Sequence, residues 1–198
     1  MKTLLRIDAS FNFNDSFSRK IADYCVSLWE QNNSSANIIQ RDLAKDPLPH
    51  LTGEVYAAFN NTDVSNPILE ISNELISELQ SADTIVISSP VYNYAIPSSL
   101  KAYFDHVVRI NKTFGYDLQD QTRKGLLKGK EAIVIVARGG MPVNGEAMDG
   151  VEEYLYGILN FMGIEHIATF TVNGTSFDGS SERLLETKEE ITQYLAHA

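Results

Sequence analysis

Alternation is the feature that most constrains this chain. Short, β-branched apolar runs stand at Leu4–Ile7, Thr84–Ser88 and Ala132–Val136, with two further candidates at Asn37–Gln40 and Ile167–Val172. Runs of this kind, apolar on both sides, suit strands covered on both faces. Longer stretches with helical spacing separate them. Phe17, Ile21, Tyr24, Cys25, Leu28 and Trp29 form one stripe, and Ile68, Ile71, Leu75 and Leu79 a second. Leu100, Tyr103, Phe104, Val107 and Val108 form a third, and Met148, Val151, Leu155, Ile158, Leu159 and Met162 a fourth. Leu184, Ile191 and Leu195 predict a last helix. Each stripe occupies one face of a helix. Strict alternation of strand and helix requires parallel strands joined by right-handed crossovers, with helices on both faces.

Five strands predict a flavodoxin-like α/β three-layer sandwich, with a parallel sheet of order 2-1-3-4-5, and a length of 198 residues suits one domain over residues 1–198. Sheets of this class bind ligands outside the carboxyl ends of their strands, where the strand order reverses. Two connections are unusually long, from about Asp42 to Asn66 and from about Asn111 to Lys130. Connections of that length are usually functional. Their apolar residues (Leu48, Leu51, Val55, Tyr56, Phe59; Phe114, Tyr116, Leu118) are expected to pack on a cofactor or a second subunit.

The loop after the first strand, Asp8 to Ser18, carries Ser10, Ser16 and Ser18 at the start of a helix. Hydroxyls together with free N–H groups at a helix start hold a phosphate without lysines. Asp15 or Ser16 would equally cap that helix with no ligand at all. No Gly-x-Gly-x-x-Gly and no P-loop pattern is present. After the third strand, Pro90 and Pro97 bracket Val91-Tyr92-Asn93-Tyr94-Ala95-Ile96. Pro97 suits the first turn of a helix. The Asn93 amide offers donor and acceptor to a pyrimidine-like edge, and Tyr92 and Tyr94 can pack on a flat ring. The other reading is a rigid turn with half-buried tyrosines. After the fourth strand, Ala137-Arg138-Gly139-Gly140 permits close backbone approach to a ligand, or is a plain turn with Arg138 in a surface ion pair.

Taken together these segments resemble the FMN-dependent NADH:quinone oxidoreductase and azoreductase family, over nearly the whole chain. The resemblance is carried by Pro90–Asp105 (PVYNYAIPSSLKAYFD), Arg109, Thr113–Tyr116 (TFGY), the serine-bearing first loop and Arg138-Gly139-Gly140. It implies one FMN per subunit, a homodimer with sites at the subunit interface, and two-electron transfer from NADH to quinone and azo substrates with ping-pong kinetics. Residue by residue, it implies that Ser10 and Ser16, Phe17 and Ser18 hold the FMN phosphate. Pro90, Val91, Tyr92, Asn93 and Tyr94 would line the isoalloxazine ring, and Ala137, Arg138, Gly139 and Gly140 would close its other side through backbone groups. Phe161 and Tyr116 would line the substrate cleft. No side chain is required as a catalytic acid, base or nucleophile, since FMN carries the chemistry. The chain departs from the family pattern at Phe11-Asn12, where many relatives carry Pro-Arg, and at Ala137, where a hydroxyl residue is common. Asp8 is expected to point away from a bound phosphate.

Composition excludes several other classes. Sixteen Lys+Arg against 26 Asp+Glu give a net charge of −10. That balance argues against nucleic acid or anionic membrane as partner, and it favours NADH over NADPH. No apolar stretch is long enough to span a membrane, and the N-terminal apolar run is too short for a signal peptide. One cysteine, Cys25, precludes an internal disulfide and lies on a helical apolar stripe, so a cytoplasmic setting is expected. His50, His106, His166 and His197 have no metal-ligand spacing, so no metal is expected, and His106 reads as polar surface. Glu182–Glu190 reads as a solvated helix face. A flavodoxin-type electron carrier is the alternative reading, although long apolar loops suit a roofed cleft better. A receiver-type signalling domain needs an acidic cluster at the strand ends, and here the third strand ends in Ser-Ser-Pro.

Overall fold

A computed structural model describes residues 1–59, 66–117, 119–145 and 149–197. Leu118 and Met148, named above, lie outside the described residues. Five parallel strands form the central sheet: β1 (Thr3–Asp8), β2 (Asn37–Asp42), β3 (Thr84–Pro90), β6 (Glu131–Ala137) and β7 (His166–Val172). Their order is β2-β1-β3-β6-β7. The numbering departs from a simple five-strand count because two short strands, β4 (Phe114–Tyr116) and β5 (Arg123–Gly125), pair antiparallel in the second long connection. Each is three residues long, too short to show a periodicity in sequence.

Successive side chains of a strand point to opposite faces, and here both faces are apolar. On one side Leu4, Val86, Ile133 and Ile135 meet Ile21, Cys25, Trp29, Ile191 and Leu195 of α1 (Phe17–Asn32) and α6 (Ser180–Leu195). On the other, Leu5, Ile7, Ile85, Ile87 and Val134 meet Leu75, Leu79, Leu100, Phe104, Leu155 and Leu159. Those come from α3 (Glu70–Ser81), α4 (Ser98–Val107) and α5 (Val151–Met162). All seven residues of β3 are buried, whereas the edge strand β2 is largely half-buried. This is why the central strands are the plainest apolar runs. Cys25 is fully buried in the first core, and burial pushes its thiol up to about 12.

The long connections fold mainly onto their own chain. The first contains α2 (Gly53–Phe59), whose Phe59 packs with Leu69 and lies 5.1 Å from the Arg109 guanidinium. His106 is 2 % exposed, so its reading as surface is corrected: its Nε2 sits 2.9 Å from the Pro49 carbonyl oxygen and ties this connection to α4. Tyr56 remains exposed. In the second connection, the Leu127 N–H donates to the Met162 carbonyl at 2.8 Å, and Gly125 is pressed against Gly163. A Cβ on Gly125 would stand 2.3 Å from the Gly163 backbone, so only glycine fits. Overpacking at such a contact costs about 1–3 kcal/mol. Gly125→Ala is therefore expected to lower the thermal midpoint by several degrees, whereas Gly129→Ala is a poor control because Gly129 has φ of +74°. Gly53→Ala, where a Cβ meets nothing within 4 Å, should leave the midpoint nearly unchanged. An unchanged midpoint in Gly125→Ala would show that the hairpin does not dock on α5.

Candidate functional site

The carboxyl ends of β1, β3 and β6 converge as the strand order requires. Beyond β1, Ser10 is 1 % exposed, and its Oγ accepts the Asn12 N–H at 3.3 Å and lies 3.4 Å from the Tyr92 hydroxyl. The Asn12 side-chain oxygen accepts the N–H groups of Asn14 and Asp15, which turns the chain into α1. Ser16 is the helix cap: its Oγ accepts the Arg19 N–H at 3.3 Å and lies 3.1 Å from Ser18 Oγ. Asp15 instead pairs with Lys20. Four N–H groups open a helix without an intrahelical partner. Among the described residues those of Phe17 and Ser18 stay open at the loop.

Two carboxylates lie close beneath this loop, and both are neutralised. Asp8, fully buried, accepts from Arg6 Nε and from Ser88 Oγ, each at 2.7 Å. Asp42 takes two bonds from Arg19, both 2.8 Å. Burial alone would raise the Asp42 carboxyl, but Arg19 and the Ala44 and Lys45 N–H groups hold it below the usual range. The Arg19 guanidinium also donates to the Ser10 carbonyl at 2.7 and 3.1 Å. One arginine therefore shapes the loop and cancels the charge under it.

Beyond β3, Tyr92 and Ala95 exchange both backbone hydrogen bonds, at 2.9 and 3.0 Å. Asn93 and Tyr94 between them have φ of 51° and 62°. Two left-handed residues in a tight reversal make a type I′ turn. Asparagine tolerates that conformation, but a tyrosine there is strained. Tyr94 is 69 % exposed, so packing within this chain does not impose the strain. Such outliers concentrate at binding sites. Phe11 stacks on Tyr92 with ring centroids 5.7 Å apart.

Beyond β6, the Arg138 side chain is turned away from the loops. Only 6 % exposed, it binds Asp149 at 2.8 and 2.9 Å, Glu152 at 2.5 and 2.8 Å and the Asn173 side-chain oxygen at 2.9 Å. Burial would raise both carboxyls, yet Arg138 holds them below their ordinary values. This segment can therefore meet a ligand only through its backbone. At Gly140 a Cβ would meet nothing within 4 Å, while at Gly139 it would strike Ser176 Oγ.

A cavity of about 260 Å³ gathers these ends. Of the residues expected at a cofactor, Ser10, Ser16, Phe17, Pro90, Val91, Tyr92, Ala137 and Gly139 line it, joined by Asn12, Asp15, Thr175 and Ser176. Asn93 and Tyr94 line an adjoining cavity of about 690 Å³ that shares Tyr92 and adds Phe11, His50, Lys101 and Tyr154. Burial pushes the Tyr154 hydroxyl up to about 12. Ser18, Arg138 and Gly140 line neither cavity, and Ser18 supports Ser16 from behind. Phe161 and Tyr116 line neither as well. Phe161 packs on Phe114 at 4.8 Å beneath the Arg123 guanidinium, and Tyr116 packs edge-on to Phe114. Thr175 and Ser176, on the loop after β7, belong to no motif that singles them out in the sequence.

A five-stranded parallel sheet with its cavities at the strand ends defines an α/β protein of flavodoxin-like fold, and a family model of that description matches residues 1–197. The FMN-dependent NADH:quinone oxidoreductase of Herminiimonas arsenicoxydans is 35 % identical over 204 residues, covering 98 % of this chain and 99 % of its own. The chain belongs to the flavodoxin-like family and, within it, to the FMN-dependent NADH:quinone oxidoreductases. Among solved structures, an FMN-dependent NADH-azoreductase from Bacillus anthracis str. Ames Ancestor in complex with FMN has a TM-score of 0.84 at 27 % identity, covering 99 % of this chain and 98 % of its own. An azoreductase from Bacillus anthracis str. Sterne shares the fold, with a TM-score of 0.86 at 21 % identity over 98 % of this chain and 99 % of its own.

Two expectations follow. Tyr94→Gly relieves the left-handed strain and should stabilise the ligand-free protein by about 0.5–1 kcal/mol in urea unfolding. A loss of stability would show that the exposed ring is held by packing. Asp149 and Glu152 have lowered values, so their contribution to stability is complete above the unfolded carboxyl range and is lost as pH falls through the folded values. Stability should fall as pH drops through and below the ordinary carboxyl range, and less steeply in Arg138→Gln, which starts about 3 kcal/mol lower at neutral pH. Parallel pH profiles would exclude this pairing as the cause.

Proposed function

We propose that this chain is an FMN-dependent oxidoreductase that passes two electrons from NADH to quinones and azo compounds, with FMN held at the carboxyl ends of β1, β3 and β6. The observation that carries the reading is the joining of three sequence-distant loops around one cavity, with open helix N–H groups at its edge and a strained aromatic turn in the adjoining cavity that shares Tyr92. The relatives' names supply the cofactor and the electron donor.

The residues fit the group. The Phe17 and Ser18 N–H groups with the Ser10 and Ser16 hydroxyls would hold the phosphate, and the Asp8 and Asp42 charges are cancelled by Arg6 and Arg19. Pro90, Val91, Tyr92, Asn93 and Tyr94 would face the ring, the Asn93 amide pairing with its pyrimidine edge. Ala137, Arg138, Gly139 and Gly140 would close the site through their backbone, since the Arg138 side chain is committed to Asp149 and Glu152. When bound, FMN supplies the hydride acceptor and the two-electron store. Donor and acceptor using one cleft in turn give ping-pong kinetics.

We further propose a single domain over residues 1–198 that acts as a homodimer in the cytoplasm. Phe161 and Tyr116 stand away from the strand-end cavities of their own chain: Phe161 lines a groove of about 420 Å³ with Val108, Gly157 and Ile158, and Tyr116 is linked to it through Phe114. Their role at the substrate cleft is therefore one that a second copy would perform.

The test is an anaerobic absorbance titration of the FMN-reconstituted protein. Near-stoichiometric NADH should bleach the flavin band, and a quinone should restore it. A bound flavin that NADH cannot reduce would favour an electron carrier. Asn93→Ala should weaken FMN retention or slow its reduction, and an unaltered variant would remove Asn93 from the site.

A further inference from the structure

The fifth strand also ends at this cavity, and its loop is built more rigidly than a connection to α6 requires. Backbone hydrogen bonds continue between the two loops past β6 and β7. The Gly174 N–H donates to the Gly140 carbonyl at 2.8 Å, Thr175 N–H to Arg138 at 3.1 Å and Ser176 N–H to Gly139 at 3.3 Å. From the other side, the Arg183 guanidinium donates to the carbonyls of Asn173 (2.9 Å), Gly174 (2.7 Å), Phe177 (3.3 Å) and Asp178 (3.0 Å). Ser176 Oγ lies so near Gly139 that a Cβ there would approach it to 2.7 Å. Glycine at 139 thus admits the hydroxyl to the cavity edge. Both Thr175 and Ser176 line the cavity, and among the described residues neither side-chain hydroxyl has a hydrogen-bond partner.

Two hydroxyls, one half-buried and one exposed, without protein partners among the described residues and carried on a main chain pinned by hydrogen bonds, are well placed to bind, because little backbone freedom is lost when a ligand arrives. The loop leads into α6, and the Ser10–Ser16 loop leads into α1. These two helices cover the same face of the sheet and are joined by the Tyr24 and Thr192 hydroxyls at 2.8 Å. Thr175 and Ser176 therefore share a cavity with the serines of the first loop, whereas Asn93 and Tyr94 line the neighbouring one.

We infer that Thr175 and Ser176 are further cofactor-binding residues, whose hydroxyls hydrogen-bond the ribityl phosphate arm of FMN, and that Arg183 positions them. The inference rests on the FMN reading above. It is tested by fluorescence titration of the flavin-free full chain with FMN and with lumiflavin, which carries the ring without the arm. Loss of two modest hydrogen bonds should weaken FMN binding by about tenfold in the Thr175→Val/Ser176→Ala variant. Thr175→Ser, which keeps the hydroxyl, should bind like the parent. Lumiflavin should bind parent and double variant alike, and the flavin-free thermal midpoint should be unchanged. FMN affinity of the double variant equal to the parent's, or an equal loss for lumiflavin, would overturn the assignment and leave the FMN reading intact. Failure of the parent itself to bind FMN would overturn both.

Discussion

The Arg19 guanidinium holds the site together. It joins the Ser10 carbonyl, the Asp42 carboxylate and, at 3.8 Å, the Asp8 carboxylate, and so ties the ends of β1 and β2 to the first turn of α1. Arg6 completes the network by bridging Asp8 and Asp23. A buried ion pair adds little net stability over an apolar substitute, because desolvation offsets the attraction. Its value here is geometric. Strand ends that carry two carboxylates would repel a phosphate, and the arginines remove that repulsion while fixing the loop that would hold it. An acidic protein of net charge −10 can thereby present a locally anion-tolerant surface made of N–H groups and hydroxyls.

The same economy governs Arg138. A cation at the end of β6 would be the obvious partner for an anionic ligand, yet its charge is spent on Asp149 and Glu152. The pairing anchors the first turn of α5 to the strand end, and the Asp149 carboxylate also accepts the Val151 N–H at 3.0 Å. What remains at the cavity is backbone, held by the β7 loop. The end of β6 thus presents main-chain groups and small side chains to the cavity, and their positions depend on the sheet register rather than on flexible charged side chains.

The sheet and its helices were legible because burial on both faces leaves a signal at every residue of β3 and β6, and at every residue of a helical stripe. The first-loop serines and the Tyr-Asn-Tyr turn were legible because the strand-end rule says where to look. Other features were not. The hairpin of β4 and β5 has three residues per strand, and its docking depends on Gly125 meeting Gly163 from 38 positions away. His106 is polar but buried because its Nε2 reaches the Pro49 carbonyl, a contact that no local pattern announces. Arg138 reads equally well in sequence as a partner in a surface ion pair; the pair is instead buried, because Asp149 and Glu152 are brought beside it from further along the chain.

The strain at Tyr94 and the rigidity at Arg183 are two halves of one arrangement. At the aromatic turn a tyrosine is kept where glycine would be easier, which holds a ring out from the sheet at a cost of about 1–2 kcal/mol. At the opposite edge, four carbonyl bonds to one guanidinium remove freedom from a loop that could otherwise move. Both devices spend folding energy on placing groups that have little to bind within the chain itself. The partner we propose, a planar ligand with a polar, anionic arm, would use both, the ring against the turn and the arm against the hydroxyls. The two cavities share Tyr92, and the buried core beneath supplies the stability that the arrangement consumes.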